Sequence, residues 1–148
     1  MLSFSRASQE RLLAIVAPGT GSDGFMNDAH AFAAYDDEVL RSCAVFQNIT
    51  TRGAELHFWA DGPLTRDMLT GFYAYAFGVK GYRCLRAPIA AWNTRAIVTA
   101  LKSGFQIAGI IGGGAIDGSD AIILTMTKDQ CRWFRPQAPA SAQTETAA

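Results

Sequence analysis

The chain has 148 residues, of which 49% are hydrophobic and 18% charged, a balance that supports one cored domain and excludes the disordered, collagen-like and coiled-coil classes. Lys and Arg together number 13 and so do Asp and Glu, so no net positive field exists for a phosphate backbone, and nucleic acid is not an expected partner. No apolar run reaches the roughly 18 residues of a membrane span, and the N-terminus lacks a basic start followed by an unbroken apolar stretch, so a cytoplasmic protein without a membrane partner is expected.

In chain order, LSFSRAS alternates apolar and polar residues and reads as a short strand. SQERLLAIVA follows as a helix with Ser8 as N-cap, and Pro18 to Gly24 is a breaker. The segment AFAAYDDEVLRSCAVFQNIT carries two apolar runs around Asp36-Asp37-Glu38, the pattern of a β-hairpin that His30 introduces. RGAELHFWADG is a further strand, with Leu56, Phe58 and Ala60 on one face and Glu55, His57 and Trp59 on the other.

At Thr65 the period changes, and Leu69, Phe72, Tyr73 and Ala76 form the buried stripe of a helix that Thr65 caps and Gly78 and Gly81 end, with Tyr75 placed toward solvent. CLRAPIA returns to strand, and Pro88 within it predicts a bulge or an unpaired edge. Asn93 caps TRAIVTALKS, whose Ile97, Ala100 and Leu101 are expected to face inward, and Gly104 closes that helix in the left-handed conformation. QIAGII and AIILTMT are the last strands, and the Gly112-Gly113-Gly114 run between them is read as a hairpin turn, since no Lys-Ser/Thr follows as a phosphate loop would need. The order β-α-ββ-β-α-β-α-ββ predicts an α+β, three-layer domain with a mixed, mostly antiparallel sheet flanked by helices. Residues 1–135 form that domain, and residues 136–148, rich in Ala, Pro and Thr, read as a flexible tail. Cys43, Cys84 and Cys131 fit neither a disulfide framework nor a zinc site and are taken as reduced thiols; no metal site is expected.

This order, with the segment WNTRAIVTALKSGFQIAGIIGGGAIDGSDAIILTMTKDQCRWF, resembles the GNAT superfamily of N-acyltransferases, and within it the small variants encoded by tailed bacteriophages. The resemblance covers residues 52 to 134, with the first 50 residues matching by element order. It implies acetyl-CoA as co-substrate, bound in extended form along the strand of Phe58, Trp59 and Ala60, and an amine acceptor on a small molecule or protein. It also implies that the strand matching 54–60 splays from a parallel neighbour matching 84–90.

The pyrophosphate loop of the superfamily corresponds to Ala60-Asp61-Gly62-Pro63-Leu64-Thr65-Arg66. Only one glycine stands there, Pro63 removes a donor, and Asp61 and Asp67 add negative charge, so weak binding is expected, with Thr65 and Arg66 as the phosphate candidates. Glu55 and His57 are the available general bases, and Asn93 matches the helix-start Asn that contacts the pantetheine arm in relatives. The tyrosine that donates a proton to the leaving thiolate is replaced by Ala100. These departures carry the alternative, a catalytically degenerate phage virion or assembly protein whose partners are phage structural proteins and whose place is the virion instead of the host cytoplasm.

Overall fold

The computed structural model describes residues 1–19 and 24–135; the 136–148 tail and most of the Pro18–Gly24 breaker lie outside the described residues. The elements are β1 (Leu2–Ser5), α1 (Gln9–Gly19), β2 (His30–Asp36), β3 (Val39–Gln47), β4 (Gly53–Ala60), α2 (Arg66–Tyr73) running on into a π-helical segment (Ala74–Val79), β5 (Cys84–Ala90), α3 (Thr94–Ser103), β6 (Gln106–Ile111) and β7 (Ala121–Thr127). They build one seven-stranded sheet in the order β1-β2-β3-β4-β5-β7-β6. Every neighbouring pair is antiparallel except β4 and β5. The fold class and element order read from the sequence are those observed.

Two layers of side chains cover the sheet. On one face Leu12 and Val16 of α1 pack on Ala31, Ala33, Cys43 and Val45, with Trp59 at the margin. On the other, α2 and the π segment press Leu69, Phe72, Tyr73 and Phe77 onto Phe46, Leu56, Leu85, Leu124 and Met126. Phe72 meets Phe4, Phe32 and Phe58 at ring-centroid distances of 5.7, 6.3 and 5.5 Å, edge and tilted contacts that add to the area each ring removes from water. Gly71 lets the Phe4 ring lie against the helix, since a Cβ there would sit 2.1 Å from a ring carbon.

Four local expectations are corrected. α1 extends through Pro18 to Gly19, because a proline in the last turn removes a hydrogen bond only where the helix is ending. Ser8 has φ 61, a left-handed residue that does not have the extended backbone of an N-cap. Tyr75 is buried, since the π turn bonds Lys80 N to Tyr75 O and its wider pitch rotates Tyr75 onto Phe32, 4.1 Å away ring to ring. On α3 Leu101 stays exposed while Ala100 and Ser103 pack inward, because this helix lies over β5 near an open edge of the sheet.

Thr65 and Asn93 do cap their helices, and Gly104 has φ 111. The C-terminus of α3 is tied down by Trp133 Nε1, which donates to Ser103 O at 2.7 Å, and by Arg132, which donates to Lys102 O. Cys43, Cys84 and Cys131 are free thiols, and burial raises Cys43 to about 12. Among the described residues no helix is long and apolar enough to cross a membrane.

Candidate active site

The parallel pairing of β4 with β5 covers only Gly53↔Cys84, Ala54↔Leu85 and Glu55↔Arg86, although the strands continue to Ala60 and Ala90. The two separate beyond that point. Hydrogen-bond alternation gives the reason. Cys84 N donates toward β4, to Arg52 O at 3.1 Å, so positions 86 and 88 also turn their amides that way. Position 88 is Pro88, which has no N–H, and the next rung cannot form. Its pairing with β7 is regular, Pro88 lying opposite Ile123 with no bulge. The unpaired edge expected at Pro88 is therefore the inner side of a cleft, and register shifts lie instead in β2, between Ala34 and Tyr35, and in β6, between Ile107 and Gly109.

The same alternation fixes what β4 offers to the opening. Asp61 N donates to Arg41 O at 3.0 Å on the β3 side, so odd-numbered residues of β4 pair with β3. Phe58 and Ala60 therefore direct N–H and C=O into the cleft, while the main chain of Trp59 is engaged with β3 opposite Cys43. Of the three residues expected to meet the co-substrate through their backbone, Phe58 and Ala60 face the cleft and Trp59 does not. Trp59 instead packs its ring in the layer under α1.

Polar side chains gather on the α1 face at the closed end of the cleft. The His57 imidazole lies 3.5 Å through Nε2 from Glu55 Oε1, the two side chains being 19% and 22% exposed. Gln47 Nε2 sits 3.2 Å from the same His57 nitrogen, and Asn48 Nδ2 donates to Glu55 Oε2 at 2.9 Å. Gln47 cannot turn over, because its Oε1 accepts from Met26 N at 2.7 Å. Its amide group is therefore turned toward His57 Nε2, and the contact fixes the ring beside Glu55.

Asn48 is positioned by φ 49, by Asp28, which accepts from Asn48 N at 3.0 Å, and by Arg86, which donates to Asn48 O at 2.8 Å. Phe25 covers the imidazole edge-on at 5.7 Å. The nearby His57 ring first, and then the Asn48 amide, hold the Glu55 carboxyl down to about 2 against the opposing effect of burial. Glu55 is thus a fixed anion with little affinity for a proton. The anion lies 3.5 Å from His57 Nε2, placed to act as counter-ion to that ring.

The loop after β4 brings Thr65 and Arg66 to the cleft mouth at the N-terminus of α2. Thr65 Oγ1 accepts from Met68 N at 3.2 Å, and Arg66 is exposed, with no ion pair among the described residues. Asp61, expected to repel phosphate, is paired with Arg41 at 3.0 Å; the pair is exposed and only partly screens that charge. Asn93 spends its Oδ1 on Ala96 N at 3.3 Å, leaving Nδ2 for other partners. Among the described residues no three His, Cys, Asp or Glu side chains are grouped to hold a metal.

Gln47, Asn48, Asp28, Phe25, Arg86 and Arg41 were not legible as site residues. They come from β3, β5 and the loops before β2 and after β3, and reach the site through tertiary contacts with no spacing signature. The only local hint was Asn48 itself, a residue type that tolerates positive φ, placed where a strand ends.

No protein-family profile and no curated protein sequence matches the chain. Solved structures do. A spermidine N-acetyltransferase SpeG chimera from Vibrio cholerae and hSSAT superposes with a TM-score of 0.72 at 14% identity, over 86% of this chain and 96% of the other. A ribosomal-protein-S5-alanine acetyltransferase from Vibrio fischeri gives 0.60 at 18% identity, over 85% and 72%. The N-acetyltransferase PseH from Campylobacter jejuni, solved with acetyl coenzyme A, gives 0.58 at 18% identity, over 80% and 77%. The fold is that of the GNAT N-acetyltransferases.

Proposed function

We propose that the chain is an acetyl-CoA-dependent N-acetyltransferase of the GNAT superfamily acting on an amine, carried by a small molecule or by a protein. One observation carries the reading: the Pro88-limited splay exposes the Phe58 and Ala60 main chain beside a buried-edge Glu55–His57 pair that can hold a proton. The structural neighbours support it, since they include enzymes named for spermidine and for a ribosomal-protein alanine, and one complex with CoA and spermine.

Bound acetyl-CoA would supply the activated thioester. Phe58 and Ala60 would hold its extended amide arm as an added strand holds its neighbour, with Asn93 Nδ2 at the far wall. Thr65 and Arg66 would meet the phosphates at the start of α2. His57 Nε2 would take the proton that makes the acceptor amine nucleophilic, and Glu55 would stabilise the imidazolium and attract the incoming ammonium ion. The new bond joins the amine nitrogen to the acetyl carbonyl carbon, the carbon–sulfur bond breaks, and the thiolate leaves with the electron pair. With Ala100 at the position of the usual acid, that thiolate would take its proton from solvent.

Calorimetry with acetyl-CoA is expected to give a Kd between about 100 μM and 1 mM, one or two charge-assisted hydrogen bonds weaker than a micromolar site. Thiol release on mixing acetyl-CoA with polyamines or with lysine and N-terminal alanine peptides should fall about 100-fold in His57→Ala. Nanomolar binding would overturn the account of the loop. Absence of both binding and thiol release near millimolar acetyl-CoA would overturn the enzyme and favour the alternative that Pro63 and Ala100 support, a fold retained as a phage virion or assembly component without chemistry.

A further inference from the structure

We propose that β6 is the contact strand of a homodimer, in which two copies of the chain meet edge to edge as antiparallel neighbours about a two-fold axis. The sheet ends in two strands, β1 and β6, and they differ in how they are guarded. β1 has four residues, and charge stands at both its ends: the Met1 ammonium group lies 3.0 Å from Asp36 and from Asp37, and Arg6 follows Ser5. Short length and charge are the usual means by which an edge avoids another strand.

β6 has neither protection. It is six residues long, and from Gln106 to Ile116 no charged side chain occurs. Ile107, Ile110 and Ile111 are 55, 67 and 54% exposed, and Ile116 just beyond is 67% exposed. Ile107 lies opposite Leu124 and Ile110 opposite Ile122, so both rise on the face that α3 covers, where Val98 and Leu101 are themselves exposed. Ile111, opposite Ala121, projects from the other face. The bulge at Ala108 leaves Gly109 to Ile111 as the straight segment for a partner strand, with the isoleucines packing around it.

The occupant is a second copy on two grounds. An uncharged aliphatic strand is complementary to itself under two-fold symmetry, and a chain with formal net charge +0 does not repel its copy. Val98, Leu101, Ile107, Ile110, Ile111 and Ile116 are all exposed, aliphatic side chains around one uncharged strand of the kind that the core of a homodimer contact buries.

Sedimentation velocity of the chain at about 50 μM should give twice the 15.9 kDa chain mass, and Ile110→Lys or Ile111→Lys should weaken association at least 100-fold. Ser3→Lys on β1 should leave the dimer intact. Unchanged far-ultraviolet circular dichroism in each variant separates loss of contact from loss of fold, because all three positions are solvent-exposed. A monomeric wild-type chain at that concentration, a dimer indifferent to both isoleucine substitutions, or a dimer lost in Ser3→Lys would each overturn the proposal.

Discussion

Strands β2 to β4 have side chains covered on both faces of the sheet, by α1 on one and by the aromatic residues of α2 and the π segment on the other. Strands β5 to β7 contribute no residue to the cluster under α1, and β6 is open to solvent along almost all of its length. The halves are joined by three rungs of parallel pairing, fewer than between any other neighbours in the sheet, the four-rung pairing of β1 with β2 coming next. What holds them together is the helix core, in which Phe72, Tyr73 and Phe77 lie in one cluster with Phe58 from the first half and Leu85, Leu124 and Met126 from the second. A cleft between two strands is therefore possible because side-chain packing replaces backbone pairing at that line.

The largest effect should come from the shared core. Phe72 is fully buried, and Phe72→Ala should cost about 3–5 kcal/mol and lower the melting temperature by roughly 10 °C for a chain of this size. Ile107→Ala on the open half should cost under about 0.5 kcal/mol when the chain is dilute enough to be monomeric. Equal losses in thermal unfolding would break the contrast between the halves.

Next in size is the seam itself. A Cβ at Gly53 would stand 1.9 Å from Cys84 O, so Gly53→Ala must push β5 away from β4 where they are still paired, at a cost of about 3 kcal/mol. Gly62, in the loop at the cleft mouth, has nothing within 4 Å of an added Cβ, and Gly62→Ala should change stability little. Urea midpoints at constant slope measure both. A Gly53→Ala chain as stable as the wild type would show that the three rungs do not set the spacing of the halves.

Much of this division was readable in the residues. The change of period at Thr65, the caps at Thr65 and Asn93 and the left-handed Gly104 are local, and local signals survive folding because neighbouring residues create them. The alternation of Leu56 and Phe58 against Glu55 and His57 placed the core and the polar pair on the correct faces of β4. Pro88 was legible as a break in pairing, but which neighbour it faces depends on the alternation set by Cys84 and Arg52, which no spacing within CLRAPIA reveals. The π turn that buries Tyr75 and the Gln47–Met26 contact that fixes His57 were invisible for the same reason. Each is decided by a partner distant in sequence.

A smaller effect tests the polar site. Glu55 is lowered from 4.5 to about 2 in the folded chain, so the stability it contributes is present above its unfolded value and is lost as pH falls from about 4.5 toward 2. Because the carboxylate is partly solvated, screening reduces this to about 1 kcal/mol. Glu55→Gln should therefore flatten the acid limb of the stability curve over that window. At neutral pH it should lower the proposed acetyl transfer by roughly 10- to 100-fold, because the anion beside His57 is lost. An acid limb unchanged by the substitution would separate Glu55 from His57.

The smallest change in stability, and the sharpest test of the cleft, is Pro88→Ala. The new amide at position 88 would point at β4 and could meet Leu56 C=O as the fourth parallel rung. One hydrogen bond adds about 1 kcal/mol, and the loss of proline's restriction on the unfolded chain removes about 0.4–1 kcal/mol. The melting temperature should stay within a degree or two. The separation of the strands should not. Hydrogen exchange should show a protected amide at position 88, and acetyl-CoA should bind several-fold more weakly, since closing the strands draws Phe58 toward β5 and takes from the cleft the main-chain groups proposed to hold the amide arm. If position 88 exchanges as a free amide and binding is unaltered, the strands are held apart by the packing of Phe58 against Phe72 and Tyr73, and the proline accommodates the opening without causing it.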